Sequence, residues 1–247
     1  MSYTIAIAGK GGVGKTTVAA LLIRYLLENS RPILAVDADP NSNLNVLLGL
    51  QYNNTVSDIR EEVRASTSIS LSKTDFFNLR LQEILVEGEG VDLLVMGRPE
   101  GSGCYCAINN ILREHLSILG KNYEFVIIDN EAGMEHLSRR TANSIDRLLL
   151  ISDSTVVSIR SAINAFRTTR SAGLKVRTCS ILINKSRMPL EQEKVRLIQD
   201  SGLGIEGYIP FQEEIERESE QGVRIQNVKT KDLHDIFGRL EGVRWKR

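Results

Sequence analysis

A chain of 247 residues that is 42% apolar has material for one α/β domain with its own core and too little for a second full domain. Its 31 basic and 31 acidic residues cancel, so charge gives no reason to expect a nucleic-acid partner, and no apolar run approaches the roughly 20 residues of a bilayer span. No basic, apolar leader precedes the first apolar run, and the three cysteines do not make a disulfide framework, so a cytoplasmic, reducing setting without a membrane partner is expected.

Tyr3-Thr4-Ile5-Ala6-Ile7-Ala8 is a continuous apolar stretch of the kind a buried strand needs, and residues 17–27 return apolar side chains at helical spacing. Between them lies Gly9-Lys10-Gly11-Gly12-Val13-Gly14-Lys15-Thr16-Thr17, which satisfies G-x-x-x-x-G-K-[ST] in the strand-loop-helix context that a phosphate-binding loop requires. The backbone of Gly11, Gly12, Val13 and Gly14 turns its N–H groups inward, and the helix N-terminus adds partial positive charge where phosphate oxygens would sit. Lys15 is placed to reach the β- and γ-phosphates, the Thr16 hydroxyl to ligate magnesium, and Thr17 to contact the α-phosphate.

The second strand, Ile33-Leu34-Ala35-Val36, runs into Asp37-Ala38-Asp39. Residues 52–90 break the rhythm with Ser, Thr, Asn and charge around scattered apolar anchors, and read as a peripheral insertion in a single domain spanning 1–247. A strand at 92–96 follows, then Cys104-Tyr105-Cys106 ahead of a helical stretch, where one chain supplies only half of a tetrahedral thiolate site. The strand Phe125-Val126-Ile127-Ile128 ends in Asp129. Asp37 and Asp129 therefore stand at the carboxyl ends of strands, where ligands of parallel sheets collect, and suit holding water molecules of a magnesium shell.

Further strands are expected at 148–151, 179–183 and 207–209, with amphipathic helices at 158–171, 190–201 and 231–242. Strand and helix alternate, which implies a mostly parallel, twisted sheet covered on both faces. In the last helix, Leu233, Ile236, Phe237 and Leu240 form a stripe expected to pack on that sheet. Cys179 reads as a core thiol, and His115, His136 and His234 read as solvated or structural.

The lysine at position 10 departs from the ordinary P-loop, and with it the chain resembles the deviant Walker A ATPases, the class of MinD, ParA and the nitrogenase iron protein. The resemblance implies a P-loop NTPase fold and Mg-dependent hydrolysis of ATP, with Lys10 reaching the partner's phosphates across a homodimer and Asp39 orienting the attacking water. Lys10, Lys15 and Asp39 are thus the expected catalytic residues. It also implies that Asn184, in Ile183-Asn184-Lys185, reads the adenine edge with Pro210 bordering the base. Arg187 stands where the aspartate of a guanine-reading N-K-x-D would be, so ATP is expected over GTP.

The C-x-C pair and the stretch of residues 134–142 sharpen the likeness to the CooC-type ATPases that mature nickel enzymes, chiefly carbon monoxide dehydrogenase. The implied function is an ATP-driven metallochaperone in which a dimer brings two copies of Cys104 and Cys106 together around nickel or zinc. Its client would be carbon monoxide dehydrogenase or a related nickel enzyme such as acetyl-CoA synthase. Asn130 and Glu131 depart from the D-M-G-A-G of that group. Two other classes remain open: an electron-transferring ATPase of the iron protein type, against which counts the lack of cysteine in residues 130–134, and a MinD or ParA type positioning ATPase, which has no use for the cysteine pair.

Overall fold

The computed structural model describes residues 2–29, 32–65, 72–98, 116, 118–131, 144–171, 174–224 and 231–242. Its strands are β1 (Tyr3–Gly9), β2 (Ile33–Ala38), β3 (Val91–Val95), β4 (Phe125–Asn130), β5 (Ser144–Ser152), β6 (Lys175–Ser186) and β7 (Gly204–Pro210). All seven join in one parallel sheet of order β3-β2-β4-β1-β5-β6-β7. β1 lies in the middle because it is apolar on both faces: Ile5 and Ile7 enter one layer of the core, Ala6 and Ala8 the other, and all are at most 1% exposed.

The helices divide between the two faces. Against Ile5 and Ile7 pack α1 (Lys15–Asn29), α2 (Leu44–Leu48), α7 (Glu213–Glu220) and α8 (Lys231–Gly242). Against Ala6 and Ala8 pack α3 (Val56–Ala65), α4 (Lys73–Glu83), α5 (Val156–Ser171) and α6 (Gln192–Asp200). α1 is buried nearly all round, from Val18 through Ile23 and again at Tyr25 and Leu26, because the sheet holds one side of it and α8 covers another. The Tyr25 ring meets His234 edge-on at 4.9 Å and Phe237 at 5.7 Å, and His234 Nε2 lies 3.2 Å from the Glu28 carboxylate. The apolar stripe of the last helix does pack on the sheet, through Leu233, Ile236 and Phe237, and no described helix is long and apolar enough to cross a membrane.

The segment expected as a peripheral insertion is instead part of the core. Val56, Ile59 and Val63 of α3, Phe77 and Leu81 of α4, and Ile84 are buried against the sheet face that carries Ala6 and Ala8. The two helices follow α2 in the connection from β2 to β3 and are tied together where Arg80 of α4 donates to both carboxylate oxygens of Glu62 at 2.8 Å. Within α3 and α4 the exposed positions are polar or charged for the most part, and an inner surface needs only one apolar residue every three or four.

Candidate functional site

The chain reverses direction across the sheet at β1. From β1 it passes to β2, on the far side of β4, and from β4 it crosses to β5 on the other side of β1. At such a switch point the carboxyl ends of neighbouring strands open a crevice, and residues 9–17 line it. Gly9 closes β1 against Ile151 of β5 so tightly that a Cβ would collide with the Ile151 carbonyl oxygen. Lys10, Gly11 and Gly12 are exposed, Val13 is buried, and Thr16 and Thr17 are half-buried in the first turn of α1. Lys15 is only 7% exposed; its ammonium curls over the loop and donates to the Lys10 carbonyl at 3.4 Å.

Two carboxylates sit beneath the loop. Asp37 and Asp129 are register partners on β2 and β4, and both are fully buried. Asp37 is braced by backbone, its oxygens accepting from the Asp39 N–H at 3.2 Å and from the Leu44 N–H at 3.0 Å. Burial lifts its carboxyl to about 6 in spite of those two donors. Asp129 is different, because neither of its oxygens completes a hydrogen bond of normal geometry. Burial lifts it to about 7, the Asp37 and Asp39 charges add to the rise, and the Thr16 hydroxyl and Lys15 ammonium offset only part of it. A buried carboxylate without a partner is costly unless a cation neutralises it, so the set of Thr16, Asp37 and Asp129 fits a magnesium site.

Asp39 is half-buried in the loop after β2, at the mouth of the crevice. Its Oδ1 accepts from the Asn41 backbone N–H at 2.9 Å and from the Asn41 side-chain amide at 3.0 Å, which leaves Oδ2 without a hydrogen bond inside that turn. On the far side of β5, β6 carries Asn184 two residues before its end at Ser186, and β7 ends in Pro210. Asn184 is 5% exposed and its amide nitrogen donates to the Val13 carbonyl at 2.8 Å, while Arg187 stacks over the Phe211 ring at 4.4 Å.

The structure thus gathers Lys15, Thr16, Asp37, Asp39 and Asp129 at one crevice and sets Asn184 against the wall of the same loop. Two participants escaped sequence reasoning. The buried Asn130 amide donates to the Ile7 carbonyl at 2.9 Å and the Ile128 carbonyl at 3.2 Å, stitching β4 to β1 beside Asp129. The contact of Asn184 with Val13 links positions 171 residues apart through a main-chain acceptor, which leaves no trace in side-chain pattern. Cys104, Cys106, His115, His136 and residues 134–142 lie outside the described residues. Among the described residues no group of three or more His, Cys, Asp or Glu could hold a metal ion, and Cys179 is a free thiol pushed up to about 12 by burial.

Comparison with known proteins agrees with this geometry. The profile of the CobQ/CobB/MinD/ParA nucleotide binding domain matches residues 4–225. An uncharacterised ATP-binding protein of Methanocaldococcus jannaschii is 39% identical over 244 residues, covering 97% of this chain and 96% of that protein. The carbon monoxide dehydrogenase accessory protein CooC of Rhodospirillum rubrum is 32% identical over 235 residues, covering 89% and 88%. Among solved structures, the septum site-determining protein MinD of Pyrococcus horikoshii, complexed with Mg-ADP, superimposes with a TM-score of 0.71 over the full length of both chains at 22% identity, a likeness of fold. With a complete phosphate loop, two carboxylates beneath it and a family profile spanning most of its length, the chain belongs to the CobQ/CobB/MinD/ParA family of nucleotide-binding domains.

Proposed function

We propose that this protein is a cytoplasmic Mg-dependent ATPase that acts as a metallochaperone for a nickel enzyme. The observation that carries the ATPase reading is Asp129, a buried carboxylate whose oxygens complete no hydrogen bond of normal geometry although the Thr16 hydroxyl and Lys15 ammonium lie close by. Thr16 would hold magnesium through its hydroxyl, with Asp37 and Asp129 acting through water, and the bound ion would neutralise charge on the β- and γ-phosphates. The loop amides of residues 11–17 cradle the triphosphate, and Lys15 leaves the Lys10 carbonyl to meet the γ-phosphate. Asp39, with one oxygen fixed by Asn41 and the other free, orients a water for attack; positioning rather than strong proton abstraction is its contribution. Lys10, exposed at the mouth of the crevice, acts in trans on the triphosphate of a second copy, so that hydrolysis follows dimerisation.

The client reading is supported by the similarity to the carbon monoxide dehydrogenase accessory protein and by the Cys104-Tyr105-Cys106 pair. Two copies of that pair in a twofold dimer supply the four thiolates a tetrahedral nickel or zinc cargo needs, and rotation of the subunits with nucleotide state changes their separation. The client is carbon monoxide dehydrogenase or a related nickel enzyme such as acetyl-CoA synthase.

Equilibrium titration with nickel and with zinc, in the presence and absence of a non-hydrolysable ATP analogue and with oligomeric state followed in the same samples, tests the whole reading. About one ion per dimer is expected. Replacing Cys104 and Cys106 together by serine abolishes ion binding and leaves nucleotide binding intact; unchanged stoichiometry in that variant refutes the metallochaperone role.

A further inference from the structure

Asn184 reaches the phosphate loop from the opposite end of the crevice, and the direction of its hydrogen bond says what it does there. A main-chain carbonyl only accepts, so the group that meets the Val13 oxygen at 2.8 Å is the amide NH2, and the amide oxygen faces elsewhere. Asn184 is 5% exposed and Val13 is 2% exposed, so the bond is shielded from competing water.

Two further observations show that the chain is built around this contact. A Cβ on Gly14, which has φ +87°, would stand 2.5 Å from the same amide nitrogen, so the glycine leaves the room that the asparagine fills. Directly after Asn184, Lys185 takes φ +53°, a left-handed conformation few non-glycine residues adopt, and the ladder between β6 and β7 shifts register between Ile183 and Ser186. The extra residue lies on β6, where three steps from Ile183 to Ser186 oppose two from Tyr208 to Pro210, and the Phe211 N–H donates to the Ser186 carbonyl at 3.0 Å just beyond it.

We propose that Asn184 is a positioning residue for the phosphate loop: its amide pins the Val13 carbonyl outward, so that the following N–H groups stay turned toward the phosphates whichever base the nucleotide carries. The inference rests on the reading of residues 9–17 as a triphosphate cradle and gives Asn184 a task separate from recognition of adenine. A reader of the adenine edge affects only nucleotides with a 6-amino group. A brace on the loop affects every triphosphate equally.

The experiment measures affinity for Mg-ATP and for Mg-ITP, in which a 6-oxo group replaces the 6-amino group, on the wild-type chain and on Asn184→Ala. Leaving the buried Val13 carbonyl without its donor is expected to weaken both nucleotides by about tenfold or more. A loss for Mg-ITP smaller than threefold overturns the brace, whatever happens to ATP. If the wild-type chain binds neither triphosphate, the phosphate-cradle reading itself falls. Should Asn184→Ala not fold, the wild-type protein free of nucleotide decides: NMR is expected to show slowly exchanging Asn184 side-chain amide protons with cross-peaks to the Gly14 α-protons, and a fast-exchanging amide without them overturns the brace.

Discussion

Replacing Asp129 by asparagine should make the nucleotide-free protein more stable at alkaline pH while destroying its response to magnesium nucleotide. Burial raises the native carboxyl to about 7, against an ordinary value of 3.8, so the native state holds a proton that the unfolded chain has already released. The sign follows from linkage: the cost to the native state is absent below the unfolded value, grows through the intervening pH range, and is complete above pH 7. At about 1.36 kcal/mol per pH unit of displacement the full cost is about 4 kcal/mol. About 3 kcal/mol of it accrues between pH 4.5 and pH 8.5.

Asparagine has no such proton to lose, and the constant cost of burying its amide cancels when the two pH values are compared. Urea unfolding of both proteins, without nucleotide or magnesium, should therefore show the difference in stability between variant and wild type moving in favour of the variant by about 3 kcal/mol as pH rises from 4.5 to 8.5. For a chain of this length that corresponds to a melting difference on the order of 10 °C. Adding magnesium and ATP should reverse the order, since ligand that binds only the native wild type stabilises it alone. A difference that stays constant across pH would refute the argument that an unneutralised Asp129 charge burdens the native state.

Lys10→Ala should lower ATP turnover and ATP-driven dimerisation by at least tenfold while leaving nucleotide affinity within about threefold, as measured by steady-state hydrolysis, light scattering and calorimetry; a fully active monomer would contradict action in trans. Phe237→Ala, which empties a fully buried position between α8 and α1, should cost about 3 to 5 kcal/mol in urea unfolding. Gly14→Ala should abolish nucleotide binding, because its Cβ would stand 2.5 Å from the Asn184 amide at a backbone angle of +87°; retention of Mg-ATP binding within threefold would show that this slot is not needed.

The parts of this site that sequence reveals are those with a local cause. Residues 9–17 are legible because a glycine-rich turn, a lysine and a hydroxyl must follow one another in fixed order between a strand and a helix. Asp37 and Asp129 are legible because each terminates a buried apolar run. Their difference in solvation is not: Asp37 collects the N–H groups of Asp39 and Leu44 while Asp129 collects none, and that depends on where the loop after β2 turns. The helices α3 and α4 hid behind a polar average, since Val56, Ile59, Val63, Phe77 and Leu81 are few but fall on inward-facing positions. The adenine contacts expected of Asn184 and Pro210 rest on resemblance, whereas the bond from Asn184 to Val13 required three dimensions.

The placement of β1 has one more consequence, for the order in which the molecule comes apart. Paired on both sides and sealed above and below, the strand from which the phosphate loop springs can exchange its amide hydrogens only when the whole molecule opens. The margin at β7, with β6 as its one partner strand among the described residues, breathes first, and β3, whose outer edge is held only by the bridge of Leu93 to Val86, follows. Thermal agitation therefore wears the protein from its borders inward, and the floor under the nucleotide is the last ground to give way.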